Sequence, residues 1–254
     1  MKLNRAKQKM LRGEPAFGYS AKLGSPVAAE FLSQCGVDFV LLDGQHGCWG
    51  PDSAIQGITA VCAGAAIPMA RVSINSYTRI GQLLDAGVLG IIVPMIDTVE
   101  QAQAVAAACR YPPVAGRSFG WGRAFSYGDD YTDWAGDQLF VAVQIESVQA
   151  VENAEAIMAV PGIDGCMTGP QDLALSIGFH PREIPNHDEH ARALERIVQA
   201  CHNTGKIPGI DTGAPNQAAL RVKQGFRFIP LGSDAKFLTG AAAAGLNMVK
   251  EALR

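Results

Sequence analysis

Leu139-Phe140-Val141-Ala142-Val143-Gln144-Ile145-Glu146 and Ile163-Asp164-Gly165-Cys166-Met167-Thr168-Gly169-Pro170-Gln171-Asp172 decide how this chain folds. Each opens on an apolar run that reads as a buried strand, Leu139 to Ile145 and Ile163 to Met167. Each then leads into a carboxylate. A helical stretch, Val148 to Val160, lies between them. In such a strand–helix–strand unit the two strands run parallel, so Glu146 and Asp172 emerge at the same end of the sheet. Two hard oxygen donors at one rim suit a divalent cation such as Mg²⁺ or Mn²⁺. The competing reading makes each a helix N-cap, a role Asp fills well and Glu less often.

The same rhythm extends over the whole chain. Strands are expected at Phe17–Ser20, Asp38–Leu42, Pro68–Val72, Gly90–Val93, Leu139–Ile145, Ile163–Met167, Ile207–Ile210 and Phe228–Leu231. Each is short, apolar or β-branched, and bounded by Gly, Pro or Asp. Helices are expected at about Pro26–Gln34, Ser53–Ala63, Tyr77–Asp85, Val99–Cys109, Val148–Val160, Glu189–Asn203, Asn216–Gln224 and Ala235–Leu253. Eight βα units of near-regular spacing predict an α/β fold, a closed (β/α)8 TIM barrel. An open doubly wound sheet is the alternative, but no GxGxxG follows the first strand. With no repeat and no linker, residues 1–254 are expected to form a single domain. It carries an inserted loop at about 111–136 and a C-terminal helix. The insertion, with Pro112-Pro113, Arg117 and Arg123, is too long for an ordinary connection. It reads either as a lid or contact segment with a function, or as an oligomer contact without chemistry.

Composition removes several classes. A 48% hydrophobic content supports a sizeable core, and a net charge of −3 gives no basic footprint for nucleic acid. The start, Met1-Lys2-Leu3-Asn4-Arg5, leads into further charge, so no signal peptide is expected. No apolar run is long enough for a membrane span. The six cysteines form no CxxC pair and mostly lie in apolar segments, which predicts reduced, buried thiols in a cytoplasmic protein.

In a barrel, chemistry gathers at the C-terminal ends of the strands. Those ends carry Asp43-Gly44-Gln45-His46, Arg71, Val93-Pro94-Met95, Gln144 with Glu146, Gly169-Pro170 with Asp172, Asp211, and Gly232-Ser233. A buried arginine needs an anion. Arg71 meets either a substrate carboxylate and enolate oxygen through its planar fork, or a protein carboxylate, Glu146 or Asp43. His46 stands alone among the histidines at a strand end, and imidazole is the side chain suited to proton transfer near neutral pH, so it is the natural general base; the bland alternative is a structural histidine. His180, His187, His190 and His202 fall in a loop or helix that reads as solvated. A Schiff-base aldolase needs a desolvated lysine at this rim. Lys206 lies at the wrong end, Lys223 and Lys250 sit on helices, and Lys22 and Lys236 have polar settings.

Taken together, Leu42-Asp43-Gly44-Gln45-His46, Gln82-Leu83-Leu84-Asp85-Ala86-Gly87, Val93-Pro94-Met95, Arg110-Tyr111-Pro112-Pro113, Gly116-Arg117-Ser118-Phe119-Gly120, Gln144-Ile145-Glu146 and Gly169-Pro170-Gln171-Asp172-Leu173 resemble the class II pyruvate aldolases. This is the 4-hydroxy-2-oxoheptanedioate aldolase and 2-dehydro-3-deoxyglucarate aldolase group. The resemblance runs in order from about residue 15 to 240. It implies a barrel dependent on Mg²⁺, Mn²⁺ or Co²⁺ that cleaves 4-hydroxy-2-oxo acids reversibly to pyruvate and an aldehyde. It assigns Glu146 and Asp172 to the metal, Arg71 to the 2-oxo acid, and His46 to acid/base chemistry. Gln144, Gly169 and Pro170 would line the 2-oxo acid pocket. Members are typically homo-hexamers, trimers of dimers. The resemblance pairs an aspartate, here Asp85, with the histidine, yet Asp85 ends a helix at the bottom of its own barrel. The two agree if Asp85 serves a neighbouring subunit; otherwise it caps a local turn.

The family often has Glu where Gln45 stands, a small residue where Gln171 stands, and an apolar residue where Asp211 stands. Gln171 and Asp211 face the expected substrate pocket, so they bear on substrate identity. Two rival functions stay open: a 2-oxo acid decarboxylase or CoA-ester lyase on the same barrel, and a non-catalytic metabolite-binding barrel.

Overall fold

A computed structural model describes residues 1–254, apart from the side chain of Asn186. The fold is α/β. Strands β1 (Ala16–Ala21), β2 (Phe39–Asp43), β3 (Ile67–Arg71), β4 (Gly90–Val93), β5 (Phe140–Gln144), β6 (Gly165–Met167) and β7 (Phe228–Ser233) form one parallel sheet. Its order is β6-β5-β4-β3-β2-β1-β7. The expected strand at Ile207–Ile210 is not a regular ladder. It makes isolated parallel bridges, Gly165 to Ile207 and Thr168 to Ile210 on one sheet edge, and Gly209 to Phe228 on the other. Pro208 has no N–H to donate, which thins the pairing here.

The two-residue period of a strand sorts the core. Val40, Leu42, Ala70, Ile91, Val141 and Val143 face the helices. Phe39, Leu41, Met69, Ile92, Phe140, Met167, Ile207 and Phe228 form a second cluster on the other, concave face. There the Phe228 ring packs on Phe39 and Phe140 at centroid distances of 4.6 and 5.0 Å. Continuing the alternation, Asp43, Arg71 and Gln144, the last residues of their strands, lie on this same concave side.

The helices depart from expectation at four places. Val148–Val160 is two short helices, α7 (Val148–Glu152) and α8 (Ala154–Met158), with Asn153 between them. An unforeseen α1 (Arg5–Leu11) sends Ala6 and Met10 into the concave cluster. Its Lys7 ammonium reaches Leu139 O at 2.8 Å and Asp164 at 3.1 Å. A second unforeseen helix, α9 (Pro170–Ile177), starts immediately after β6. The insertion holds a 3-10 turn, Arg123–Tyr127, and helix α6 (Tyr131–Gln138). It packs at the N-terminal end of the sheet: Tyr127 donates to Gly87 O at 2.7 Å, just ahead of β4. It therefore does not serve as a lid over its own strand ends.

The remaining helices are α2 (Pro26–Ser33), α3 (Pro51–Val61), α4 (Tyr77–Asp85), α5 (Val99–Cys109), α10 (Asp188–Thr204), α11 (Ala218–Lys223) and α12 (Asp234–Ala252). No helix is long and apolar enough to cross a membrane among the described residues. All six cysteines are free thiols, but only Cys109, Cys166 and Cys201 are buried. Cys35 and Cys48 are exposed, and Cys62 is half-buried.

Phe228→Ala empties the centre of the concave cluster. It should cost about 3–5 kcal/mol in urea unfolding, as large aromatic truncations in a packed core do.

Candidate active site

The C-terminal edge of the sheet carries a chain of polar side chains. Asp43 and Arg71 are cross-strand partners in register. Arg71 donates through Nε to Asp43 Oδ1 at 2.9 Å and through Nη2 to Oδ2 at 2.5 Å. Its Nη1 donates to Gln144 Oε1 at 3.2 Å. Gln144 Nε2 in turn donates to Glu146 Oε2 at 2.6 Å. Asp43, Arg71, Gln144 and Glu146 are all buried. Lys22 adds a second cation 3.2 Å from Asp43 Oδ2. Of the two partners offered for Arg71 by the sequence, the structure selects Asp43. Burial alone would raise the Asp43 pKa, but the hydrogen bonds and charge of Arg71 outweigh it and hold it at about 2.

Glu146 sits opposite. Its Oε1 accepts the Met95 N–H at 2.9 Å. Met95 has φ of 56°, a left-handed conformation that non-glycine residues adopt at a cost. That conformation aims the amide at the carboxylate. Burial pushes the Glu146 pKa up to about 7; the Met95 N–H opposes this, and the Asp172 charge adds to it. Asp172 is exposed and stands in the first turn of α9, whose N-cap is Gly169. The N-cap of α7 is Ser147. Neither carboxylate is thus an N-cap.

Gly169 lies between them. A Cβ built there would fall 2.6 Å from Glu146 Oε2 and 3.0 Å from Asp172 Oδ2. The two carboxylates therefore flank one point, with no cation among the described side chains closing the gap. No cluster of three or more His, Cys, Asp or Glu side chains suited to a metal occurs among the described residues. Two carboxylates and water are nevertheless a normal donor set for Mg²⁺, which usually keeps several waters and binds few protein oxygens. The residues present fit a divalent ion that completes its shell with water and substrate oxygens.

The other expected site residues divide. Pro170 begins α9 and Gln171, exposed, follows it. Asp211 lines a small cavity with Ser20, Lys22, Gly213 and Lys236. His46 is exposed in the turn after β2, where its backbone N–H donates to Asp43 Oδ1 at 3.1 Å. Asp85 ends α4 at the opposite, N-terminal edge. It accepts from Arg117 Nη2 at 2.8 Å and does not meet His46 within this chain.

His190, expected to be solvated, is buried, with Nε2 2.9 Å from Pro170 O. Burial lowers its pKa. It shares the buried stripe of α10 with Leu194, Ile197 and Cys201, so helical periodicity carried the signal. Met95 left no such signal, since its role lies in its backbone.

The HpcH/HpaI aldolase/citrate lyase family profile matches residues 20–241. A hydroxypyruvate/pyruvate aldolase of Chromohalobacter salexigens is 36% identical over 244 residues, 94% of this chain and 95% of its own. A 4-hydroxy-2-oxo-heptane-1,7-dioate aldolase of Escherichia coli is 32% identical over 249 residues, 95% of this chain and 93% of its own. A crystal structure of an HpcH/HpaI aldolase/citrate lyase family protein from Burkholderia cenocepacia superposes with a TM-score of 0.90 at 31% identity, covering 97% of this chain and 99% of the other. The chain belongs to the HpcH/HpaI aldolase/citrate lyase family. It is a carbon–carbon lyase of the aldolase kind.

The Asp43–Arg71 pair gives a pH-dependent stability. With Asp43 depressed, its contribution is complete above about pH 4, near its unfolded value. It is lost as the pH falls towards about 2. Asp43→Asn should cost about 3–5 kcal/mol at pH 7, by stranding a buried guanidinium. In urea melts the gap to the native chain should narrow as the pH approaches 2.

Proposed function

We propose that this aldolase is divalent-metal dependent and cleaves a 4-hydroxy-2-oxo acid reversibly to pyruvate, or a related 2-oxo acid, and an aldehyde. The observation that carries this reading is the pair Glu146 and Asp172 around Gly169, set beside the Arg71–Gln144 chain. On this reading residues 1–254 form one domain, a closed (β/α)8 barrel. The bridges from 207–210 to both sheet edges support that closure.

Glu146 and Asp172 would hold Mg²⁺, Mn²⁺ or Co²⁺. When bound, the cation supplies positive charge beside the C1 carboxylate and C2 carbonyl and stabilises the enolate. The protein's own groups do the rest. Asp43 occupies Nε and Nη2 of Arg71, which leaves Nη1, shared only with Gln144, as the edge for a substrate oxygen. A guanidinium fixed this way is aimed in advance at the charge that develops when the C3–C4 bond breaks. Gln144 and the Gly169-Pro170 backbone line the 2-oxo acid end. Gln171 and Asp211 bound the substrate further out. His46 takes the C4 hydroxyl proton, and a proton returned to C3 completes pyruvate.

His46 needs an orienting partner that its own chain lacks, because Asp85 lies at the other end. We place Asp85 of one subunit beside His46 of another, in a homo-hexamer. Exposed apolar surface supports assembly: Leu238, Leu246, Met248 and Val249 on α12, Val27 and Phe31 on α2, and Trp121 in the insertion. Free thiols and the family's small-molecule substrates fit a cytoplasmic enzyme with no nucleic-acid or membrane partner.

Calorimetry with Mn²⁺ tests the donor set. Glu146→Gln and Asp172→Asn should each abolish measurable binding, and chelation should stop turnover. Because Glu146 must be ionised to bind, affinity should fall up to about tenfold per pH unit below about 7. Wild-type affinity in either variant, or a lysine adduct trapped by borohydride and pyruvate, contradicts the assignment.

Mixing tests the shared site. Inactive Asp85→Ala and inactive His46→Ala subunits should together regain part of the activity, since a mixed interface holds one intact pair. A fully active monomer rules it out.

A further inference from the structure

His190 is the one buried histidine among the described residues; His46, His180 and His202 are exposed. It stands in the first turn of α10, and its Nε2 lies 2.9 Å from Pro170 O. A carbonyl only accepts, so Nε2 carries the hydrogen. The ring meets Phe179 edge-on, at a centroid distance of 5.9 Å and an interplanar angle of 84°. Phe179 follows Gly178, the C-cap of α9. The imidazole therefore ties α10 to the start of α9 and to the residue just past its end.

Helix α9 depends on such ties. It is eight residues long, and its N-cap, Gly169, makes no side-chain capping bond. An isolated helix this short is marginal in water, so contacts with the rest of the fold set its position. Leu173 and Ala174 bury its apolar face, but apolar burial is non-directional and leaves the helix free to slide or roll. The hydrogen bond from His190 is directional and fixes the first turn.

That turn carries Asp172, two residues after Pro170. Glu146 is held separately, by its place after β5 and by the Met95 N–H. The clearance between the two is narrow: a Cβ at Gly169 would fall 2.6 Å from Glu146 Oε2 and 3.0 Å from Asp172 Oδ2. Moving Pro170 moves one carboxylate against the other. A small ion such as Mg²⁺ needs its oxygens at about 2.0–2.1 Å in near-ideal geometry. A displacement of roughly half an ångström at this turn is then felt in affinity.

We infer that His190 is a positioning residue for the metal-ligand pair: its Nε2–H, donated to Pro170 O, holds the first turn of α9 so that Asp172 and Glu146 share one cation. His190 acts through Pro170 and is not itself a ligand. The inference rests on the metal-dependent aldolase reading and adds the group that sets its donor geometry.

Calorimetry with Mn²⁺ on the metal-free protein tests it. His190→Leu keeps most of the volume and removes the donor; it should weaken Mn²⁺ binding by about tenfold or more, as loss of groups that orient metal ligands does. His190→Gln keeps an amide donor and should restore most of the affinity. Leu194→Ala, one turn along the same buried stripe of α10, removes packing but no hydrogen bond to α9. It should lower the urea midpoint and bind Mn²⁺ like the native chain. Native affinity in His190→Leu overturns the inference, as do a Gln variant as weak as the Leu variant and a matching loss in Leu194→Ala. Should His190→Leu not fold, NMR of the native protein with isotope-labelled histidine decides. A slowly exchanging ring N–H should be visible at neutral pH and should shift when Mg²⁺ is added; no such signal, or one indifferent to Mg²⁺, overturns the inference. A native chain that binds no Mn²⁺ removes the metal reading itself, and this inference with it. Native binding that His190→Leu leaves unchanged removes this inference alone.

Discussion

A guanidinium at the end of a buried strand cannot stand unpaired. Arg71 meets this constraint with Asp43 on the neighbouring strand, in register and through two hydrogen bonds. The pair is structural, and on the proposed function it is chemical as well. It fixes β2 against β3 where their ladders end, and it removes the freedom of a long cationic side chain. One edge of the guanidinium then remains for Gln144, which passes the contact to Glu146. The last residues of three strands, and Glu146 just beyond β5, are ordered by a single ion pair.

The second half of the site is built on repulsion. Glu146 and Asp172 come together around Gly169, and burial already disfavours the Glu146 charge. The fold accepts this at a further cost, the left-handed backbone of Met95, whose amide steadies the carboxylate. Such local conflict, placed where several strand ends meet, is characteristic of positions kept for chemistry. A divalent ion held there, as proposed, would resolve it by replacing like-charge repulsion with shared coordination.

Much of this was legible in the sequence. The apolar runs of β2 to β5 are long enough to dictate strands, and the carboxylates at their ends follow from topology. Arg71 announced itself as a charge in an apolar run. Other features were not legible for physical reasons. The strand at 207–210 pairs only in isolated bridges, since Pro208 lacks a donor. Helix α1 is short and polar, and only its contacts with Leu139 and Asp164 explain why it docks. The insertion stands out by its length, but its side of the sheet depends on tertiary contacts such as Tyr127 with Gly87. His190 was hidden by its residue type, not by its position.

The central claim is that a fixed Arg71 and a carboxylate-held divalent ion together stabilise a pyruvate enolate. Deuterium incorporation into the pyruvate methyl group, measured by NMR in D₂O, isolates that event from the aldehyde half. The account predicts exchange that stops on chelation, returns with Mn²⁺, and slows by about 10²–10³ in Arg71→Ala. Exchange that survives chelation, or proceeds at the native rate without Arg71, would contradict it.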